Sequence, residues 1–179
     1  MRSLRANPLL RGGAAILVIA SIGLALAGRV TATQASHADH GPISVEILTG
    51  RAEFTDQVAG QLRVKLDGRA TRVLNMRDLS RTVVAKITVP AGAHFPWHTH
   101  PGPVIVNVAE GTLVYVNAKD CVERSYAKGT AFIDPGRGNV HTAFNPSTTE
   151  PTVLVATFFE VPPAPAPLTI TDGVTPGDC

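Results

Sequence analysis

Short apolar stretches follow one another from Ile43 onward, rich in valine, isoleucine and threonine and separated by glycine, proline, asparagine or aspartate. Breaks of this kind, about eight to twelve residues apart, are typical of consecutive β-strands. The pattern predicts strands at 43–48, 61–67, 72–78, 82–89, 97–100, 103–109, 112–117, 122–127, 130–133, 140–145 and 152–160. Beyond residue 40 it predicts no helix of normal length; residues 54–60 could form a short helical turn, but their helical period is poor. The chain is therefore expected to be all-β.

The first 38 residues follow a different pattern. Arg2, Arg5 and Arg11 precede an apolar run from Ala14 to Ala27, and small residues follow that run. This order predicts a secretory signal peptide. The run is about 15 residues long, shorter than the ~20 that cross a bilayer upright, yet an uncleaved membrane anchor is the alternative. We expect an exported protein that is extracellular, periplasmic or anchored at the cell surface, with membrane contact only through this segment.

Composition narrows the function classes. Hydrophobic residues make up 44% and charged residues 17% of the chain, which fits neither a disordered chain nor a multi-span membrane protein. The net charge is only +2, and Arg2, Arg5 and Arg11 lie ahead of the apolar run. The remaining lysines and arginines form no basic stripe, so no nucleic-acid partner is expected.

The cysteines of the chain are Cys121 and Cys179. An exported chain meets an oxidising compartment, in which two thiols tend to join. We predict a disulfide between them, with two free thiols or a metal pair as the alternatives. A metal pair is disfavoured because no second cysteine or histidine lies at ligand spacing from either one.

Three histidines carry the most informative chemistry. His98 and His100 alternate along a predicted strand, so their side chains point to the same face. His141 lies on a later predicted strand, which can meet the first pair in an antiparallel barrel.

These histidines lie in two segments that resemble the conserved motifs of the cupin superfamily, G(X)5HXH(X)3,4E(X)6G and G(X)5PXG(X)2H(X)3N. The first motif matches at Gly92, His98, His100 and Gly111, and the second at Gly129, Pro135, Gly138, His141 and Asn145. The resemblance implies an all-β fold, a single cupin-type double-stranded β-helix or jelly-roll barrel, at residues 39–160. It places a signal or anchor segment at 1–38 before the barrel and a proline-rich tail at 161–179 after it. The tail begins VPPAPAP, and because prolines cannot donate to a sheet, it is expected to pack on the outside of the barrel.

The resemblance further implies that His98, His100 and His141 are metal ligands. Two departures from the motifs matter. One extra residue separates Pro135 from Gly138, which a turn can absorb, and Val104 occupies the position of the usual fourth ligand, a glutamate. Three neutral imidazoles suit zinc, iron, copper or nickel better than manganese. The alternative is a barrel that has lost its metal together with the glutamate.

Several neighbours of these histidines are candidates for the rest of the site. His94 is the candidate general base or replacement ligand, with an ordinary loop histidine as the alternative. The predicted pocket wall consists of Phe95, Trp97, Val104 and Asn145. The resemblance implies a metal-dependent oxidoreductase, dioxygenase-like, that acts on a small molecule. The alternatives are a non-enzymatic module that binds a metal or small ligand, and a structural barrel; pairing of barrels through strand edges makes a homodimer possible.

Overall fold

The computed structural model describes residues 41–65, 70–163, 168–176 and 179. Predictions for the signal or anchor segment at 1–38 lie outside these residues. Ten strands follow one another along the described chain: β1 (Ser44–Thr49), β2 (Gly60–Val64), β3 (Arg72–Met76), β4 (Val83–Val89), β5 (Val104–Glu110), β6 (Thr112–Asn117), β7 (Glu123–Ala127), β8 (Ala131–Asp134), β9 (His141–Phe144) and β10 (Thr152–Phe158). No helix of the described residues is long and apolar enough to span a membrane.

All strand pairs are antiparallel, and they build three sheets. The largest sheet has the order β1-β4-β10-β5-β8, a second has the order β7-β6-β9, and β2 and β3 form a separate hairpin. The strands β4 and β10 alternate strictly between buried and less buried positions, because one face of each packs into the core. The predicted all-β fold class is confirmed.

The hydrophobic core lies between the five-stranded and three-stranded sheets. Val89, Val104 and Leu154 come from the larger sheet, and Leu113 and Ala143 come from the smaller one. Because the inner faces of both sheets contribute, the two sheets close on each other as the walls of one barrel. The edge strand β1 lies outside this core and is exposed along its whole length.

Two local predictions were wrong. Residues 97–100 form no strand; instead His98 pairs with His141 and Thr99 pairs with Ile170 as isolated bridges. Prolines at 96, 101 and 103 flank this segment and have no amide hydrogen to extend a ladder in either direction. Residues 54–60 form no helical turn, and a short 3-10 helix occurs at Leu79–Arg81, where Asp78 accepts a hydrogen bond from the Ser80 amide at 3.0 Å.

The turn from β8 to β9 absorbs the extra residue of the second motif. Gly136, Arg137 and Gly138 all have positive φ. At Gly136 a side chain is excluded as well by space, since an added Cβ would lie 1.9 Å from the carbonyl oxygen of Gly102. The Arg137 amide donates to the His100 carbonyl at 2.8 Å. The turn therefore fastens the second motif to the first.

Candidate metal centre

The three motif histidines meet inside the barrel. His98 and His100 lie in the connection between β4 and β5, and His141 begins β9. The amides of His98 and His141 each donate to the other residue's carbonyl at 2.9 Å, which sets the two backbones side by side. One ring nitrogen of each of the three histidines lies within 4.8 Å of the others, and all three side chains are buried.

The backbone sets the orientation of each ring. The Nδ1 atom of His98 donates to the Pro96 carbonyl at 2.7 Å, that of His100 to the Leu168 carbonyl at 2.9 Å, and that of His141 to the Asn139 carbonyl at 3.2 Å. A carbonyl oxygen only accepts hydrogen bonds, so each Nδ1 carries the hydrogen. The lone pair of each ring is therefore on Nε2, the tautomer in which a histidine binds a metal through that atom.

Burial favours the neutral form of two of these rings. Burial first, and then the neighbouring rings of His141 and His100, lower the pKa of His98 to about 3. Burial, followed by His141, also lowers the pKa of His100. A neutral imidazole is the form that binds a metal ion. The donor set of three converging imidazole nitrogens therefore fits a transition metal.

A small apolar cavity lies beside the three rings. Its volume is about 90 Å³, and its walls include Phe95, Val104, Leu113, Phe132 and Phe158. Leu168 and Thr169 of the C-terminal tail also line it. Ile170 holds them in place by exchanging backbone hydrogen bonds with Thr99, at 2.8 and 3.0 Å.

No protein-family model matches the chain, and no curated protein matches its sequence. Among solved structures it is similar to a cupin-like protein from Thermotoga maritima MSB8, with 27% identity, 51% of this chain and 68% of that chain covered, and a TM-score of 0.41. It is also similar to the polyketide cyclase RemF from Streptomyces resistomycificus, with 21% identity, coverage of 53% and 63%, and a TM-score of 0.42. An oxalate oxidase shares 22% identity, with coverage of 53% of this chain but only 48% of its own, and a TM-score of 0.42.

This chain has two facing sheets, and the histidines of both motifs meet between them. These two features together identify the fold. The chain has a cupin fold. At the position of the usual cupin glutamate, the side chain of Val104 lines the cavity and is 1% exposed. The fourth metal ligand expected of a cupin at this position is a carboxylate oxygen. In this chain an apolar side chain takes its place.

Two of the other predicted site residues, His94 and Trp97, lie apart from the cavity of the cupin barrel. The exposed ring of His94 stacks on Phe144 with centroids 4.7 Å apart, and it is not among the residues that line the cavity. Trp97 is half-buried and does not line the cavity either. Phe95 and Val104 do line it, so half of the predicted pocket wall surrounds the histidines.

Asn145 has a structural position instead. It is 1% exposed, and its amide group donates to the carbonyls of Val89, Pro90 and Glu150 at 3.0, 3.2 and 2.8 Å. Its Oδ1 atom accepts the Ser147 amide at 3.0 Å. The side chain therefore closes the loop between β9 and β10, and it does not line the cavity.

The predicted disulfide between Cys121 and Cys179 is present in the structure. It joins the end of the chain to the turn between β6 and β7. The tail that contributes Leu168 and Thr169 to the cavity is thus attached to the barrel through the Leu168 carbonyl, through Ile170 and through Cys179.

A buried carboxylate beside His141 is the feature that the sequence patterns missed. Asp134 is 1% exposed and lines the cavity, and its Oδ2 atom lies 3.2 Å from Nδ1 of His141. Tyr115 donates to the same oxygen at 2.8 Å, and Asn139 does so at 2.7 Å. An aspartate ahead of a proline is first of all a turn-forming residue, and nothing in the spacing of Asp134 and His141 marks their side chains as neighbours.

Proposed function

We propose that this chain is an exported metal-binding cupin in which His98, His100 and His141 hold one divalent transition metal ion, and that it acts as a dioxygenase-like oxidoreductase on a small molecule. The observation that carries the proposal is the common orientation of the three rings, each with Nδ1 on a backbone carbonyl. Zinc, iron, copper and nickel all accept such a donor set. Packing alone would not require three histidine rings to direct their Nε2 lone pairs toward one another.

The surroundings of the three histidines support chemistry at an ion rather than at a side chain. A bound transition metal supplies Lewis acidity or electron transfer to a molecule beside it. Besides the histidines, the polar side chains that line the cavity are Tyr115, Asp134 and Thr169. Burial and the adjacent Asp134 raise the pKa of Tyr115, so the phenol stays protonated. Its hydroxyl donates a hydrogen bond to the Asp134 carboxylate. The Tyr115 phenol is thus disfavoured as a general base.

The cavity limits the size of the reactant. Its volume of about 90 Å³ is well below the ~300–1,000 Å³ of a typical small-molecule pocket. Apolar walls exclude water and accept an uncharged or weakly polar molecule. A larger substrate would require Leu168 and Thr169 to move away from the histidines.

The disulfide supports export. Bonds of this kind persist in oxidising compartments and are rare in the cytosol. Because Cys121 and Cys179 are joined, the barrel fits the extracellular or periplasmic location that the first 38 residues predict.

A test of the metal site uses the protein purified without a polyhistidine tag. Elemental analysis is expected to find about one equivalent of a transition metal in the native protein. The double variant His98→Ala, His100→Ala is expected to retain less than a tenth of it. The matched control is His94→Ala, which removes a histidine outside the cluster and should leave the metal content unchanged. A native protein without metal, even after reconstitution, would sink the proposal.

A second candidate function is a non-enzymatic module that holds a metal or a small ligand. It is favoured by the small volume of the cavity, about 90 Å³. Azide, a three-atom anion, separates the two functions when it is titrated into the protein loaded with cobalt(II). A change in the visible spectrum at millimolar azide would show that a small molecule reaches the ion, as an oxidoreductase needs, whereas an unchanged spectrum would favour the holding function.

A further inference from the structure

The buried side chain of Asp134 has more contacts than a turn requires. Its Oδ1 atom accepts the Gly136 amide at 2.7 Å, which is the hydrogen bond that forms the turn after β8. Its Oδ2 atom has no part in that turn. Burying a second carboxylate oxygen is costly unless other groups contact it, so the role of Oδ2 has to be found in its own contacts.

The contacts of Oδ2 lead to the metal centre. Tyr115 and Asn139 donate to it at 2.8 and 2.7 Å, and Nδ1 of His141 lies 3.2 Å away. Asn117 in turn donates to Oδ1 of Asn139 at 3.0 Å and to the Tyr115 hydroxyl at 3.3 Å. The carboxylate is therefore held from one side by a buried amide and phenol network, and its free side faces the imidazole.

The position of Asp134 in the sheet adds a second, independent observation. In the pairing of β5 with β8, Asp134 lies directly opposite Val104. Directly opposed residues of an antiparallel pair point to the same face, and here both side chains line the cavity. Val104 is the residue at the position of the usual glutamate ligand. A carboxylate is therefore present on the neighbouring strand at the level where the motif has lost one.

We infer that Asp134 is a positioning residue for the metal centre: its carboxylate, beside Nδ1 of His141, orients that imidazole and supplies the negative charge that Val104 does not. The inference rests on the proposed function. Asp134 acts through His141 and does not belong to the group of side chains whose donor atoms converge. A carboxylate behind a ligating histidine fixes the ring and raises its basicity, and loss of such a partner weakens metal affinity about 10- to 100-fold.

The test compares zinc affinity in Asp134→Asn with that of the native protein, by competition with a chelator of known affinity. Asparagine keeps an oxygen for the Gly136 amide, so the turn is preserved while the charge beside His141 is lost. We expect zinc binding to weaken about 10- to 100-fold. The visible spectrum of the cobalt(II)-loaded variant should shift too, because the field at the ion changes with the basicity of His141. A purely structural role would leave that spectrum unchanged.

Two further variants complete the experiment. Tyr115→Phe removes one donor to Oδ2 and leaves the carboxylate in place, so it should weaken zinc binding in the same direction but by less. Asp56→Asn removes the same charge from an exposed loop residue that does not line the cavity, and it should bind zinc like the native protein. If Asp134→Asn and Tyr115→Phe both bind zinc within twofold of the native value with an unchanged cobalt spectrum, the inference is overturned. A native protein that binds no zinc overturns the proposed function itself.

Discussion

Two concave regions of this barrel share wall residues but differ in volume and in charge. The inner cavity holds about 90 Å³ among apolar side chains and the three histidines, and an outer cleft holds about 420 Å³. Tyr115 and Phe132 line both. The outer cleft also contains Arg63, Lys65 and Arg124, so it is both the larger and the more charged of the two.

The comparison shows that orientation, not volume or charge, marks the metal centre. In the outer cleft Arg63 and Lys65 are exposed, so they remain in contact with solvent and no geometry is imposed on them. Arg124 pairs with Asp120, at 3.1 Å, four residues before it. In the inner cavity three donors are buried, a backbone carbonyl contacts Nδ1 of each ring, and Asp134 also lies beside Nδ1 of His141. Ligands that are held in place before an ion arrives favour its binding.

The largest expected effect comes from releasing the tail segment that lines part of the inner cavity. The double variant Cys121→Ser, Cys179→Ser removes the covalent attachment of that segment to the barrel. The disulfide spans 58 residues, and in the chain-entropy model its loss lowers the free energy of unfolding by about 4 kcal/mol. Denaturant unfolding measures the loss, and transfer of bound metal to a chelator should become faster.

The control for this variant is the native protein after reduction, which should show the same loss of stability. Equal unfolding free energies for the native and double-variant proteins would contradict the prediction. They would mean that the bridge through Ile170 holds the tail without help from Cys179.

A smaller effect is expected when the set of metal-donor atoms in the inner cavity is changed. Val104→Glu introduces an oxygen ligand at the position where the cupin motif has its glutamate. Manganese prefers oxygen donors, so the variant should take up manganese from an equimolar mixture of manganese and zinc ions to a greater extent than the native protein. Elemental analysis after dialysis measures the ratio.

Val104→Gln is the matched control, because it has the same size as the glutamate variant without its charge. In the metal-free state both variants should lose about 1–3 kcal/mol of stability, since each buries a polar group among apolar side chains. Identical metal ratios in the glutamate and glutamine variants would argue against this position facing the ion.

The smallest effect is expected in the outer cleft. Arg63→Gln with Lys65→Gln removes two exposed positive charges, and the free energy of unfolding should change by no more than about 0.5 kcal/mol. Metal content should stay at the native value. A fall in metal content in this variant would break the contrast between the two regions, because it would show that the cleft contributes to the metal centre.

Much of the site could be predicted from local spacing. Residues two apart on extended backbone share a face, so His98 and His100 had to point the same way even though their segment forms isolated bridges instead of a strand. His141 joined them because the second motif follows at a distance that brings β9 alongside. The disulfide was predictable because the chain has two cysteines, which leave one possible pairing, and because the pattern of its first residues led us to expect export.

The other predicted neighbours depended on the path of loops. His94 and Trp97 are close to His98 in sequence, but the chain between Pro90 and His98 turns, so proximity along the sequence did not bring them to the cavity. Asn145 matched its motif position and still faces the backbone of the following loop. A motif match therefore located these residues but did not decide what their side chains contact.

By itself, the sequence determined the all-β class, most strand positions, the histidine set, the valine at the glutamate position and the cysteine pair, because each depends on side-chain alternation, residue identity or short spacing. Only the tertiary structure decided that Asp134 lies opposite Val104 and beside His141, and that Leu168 lines the cavity. The position of Asp134 depends on strand register. The position of Leu168 depends on how a segment distant in sequence packs back against the barrel. Contacts of that kind arise from packing of the whole barrel, and no local pattern in the chain records them.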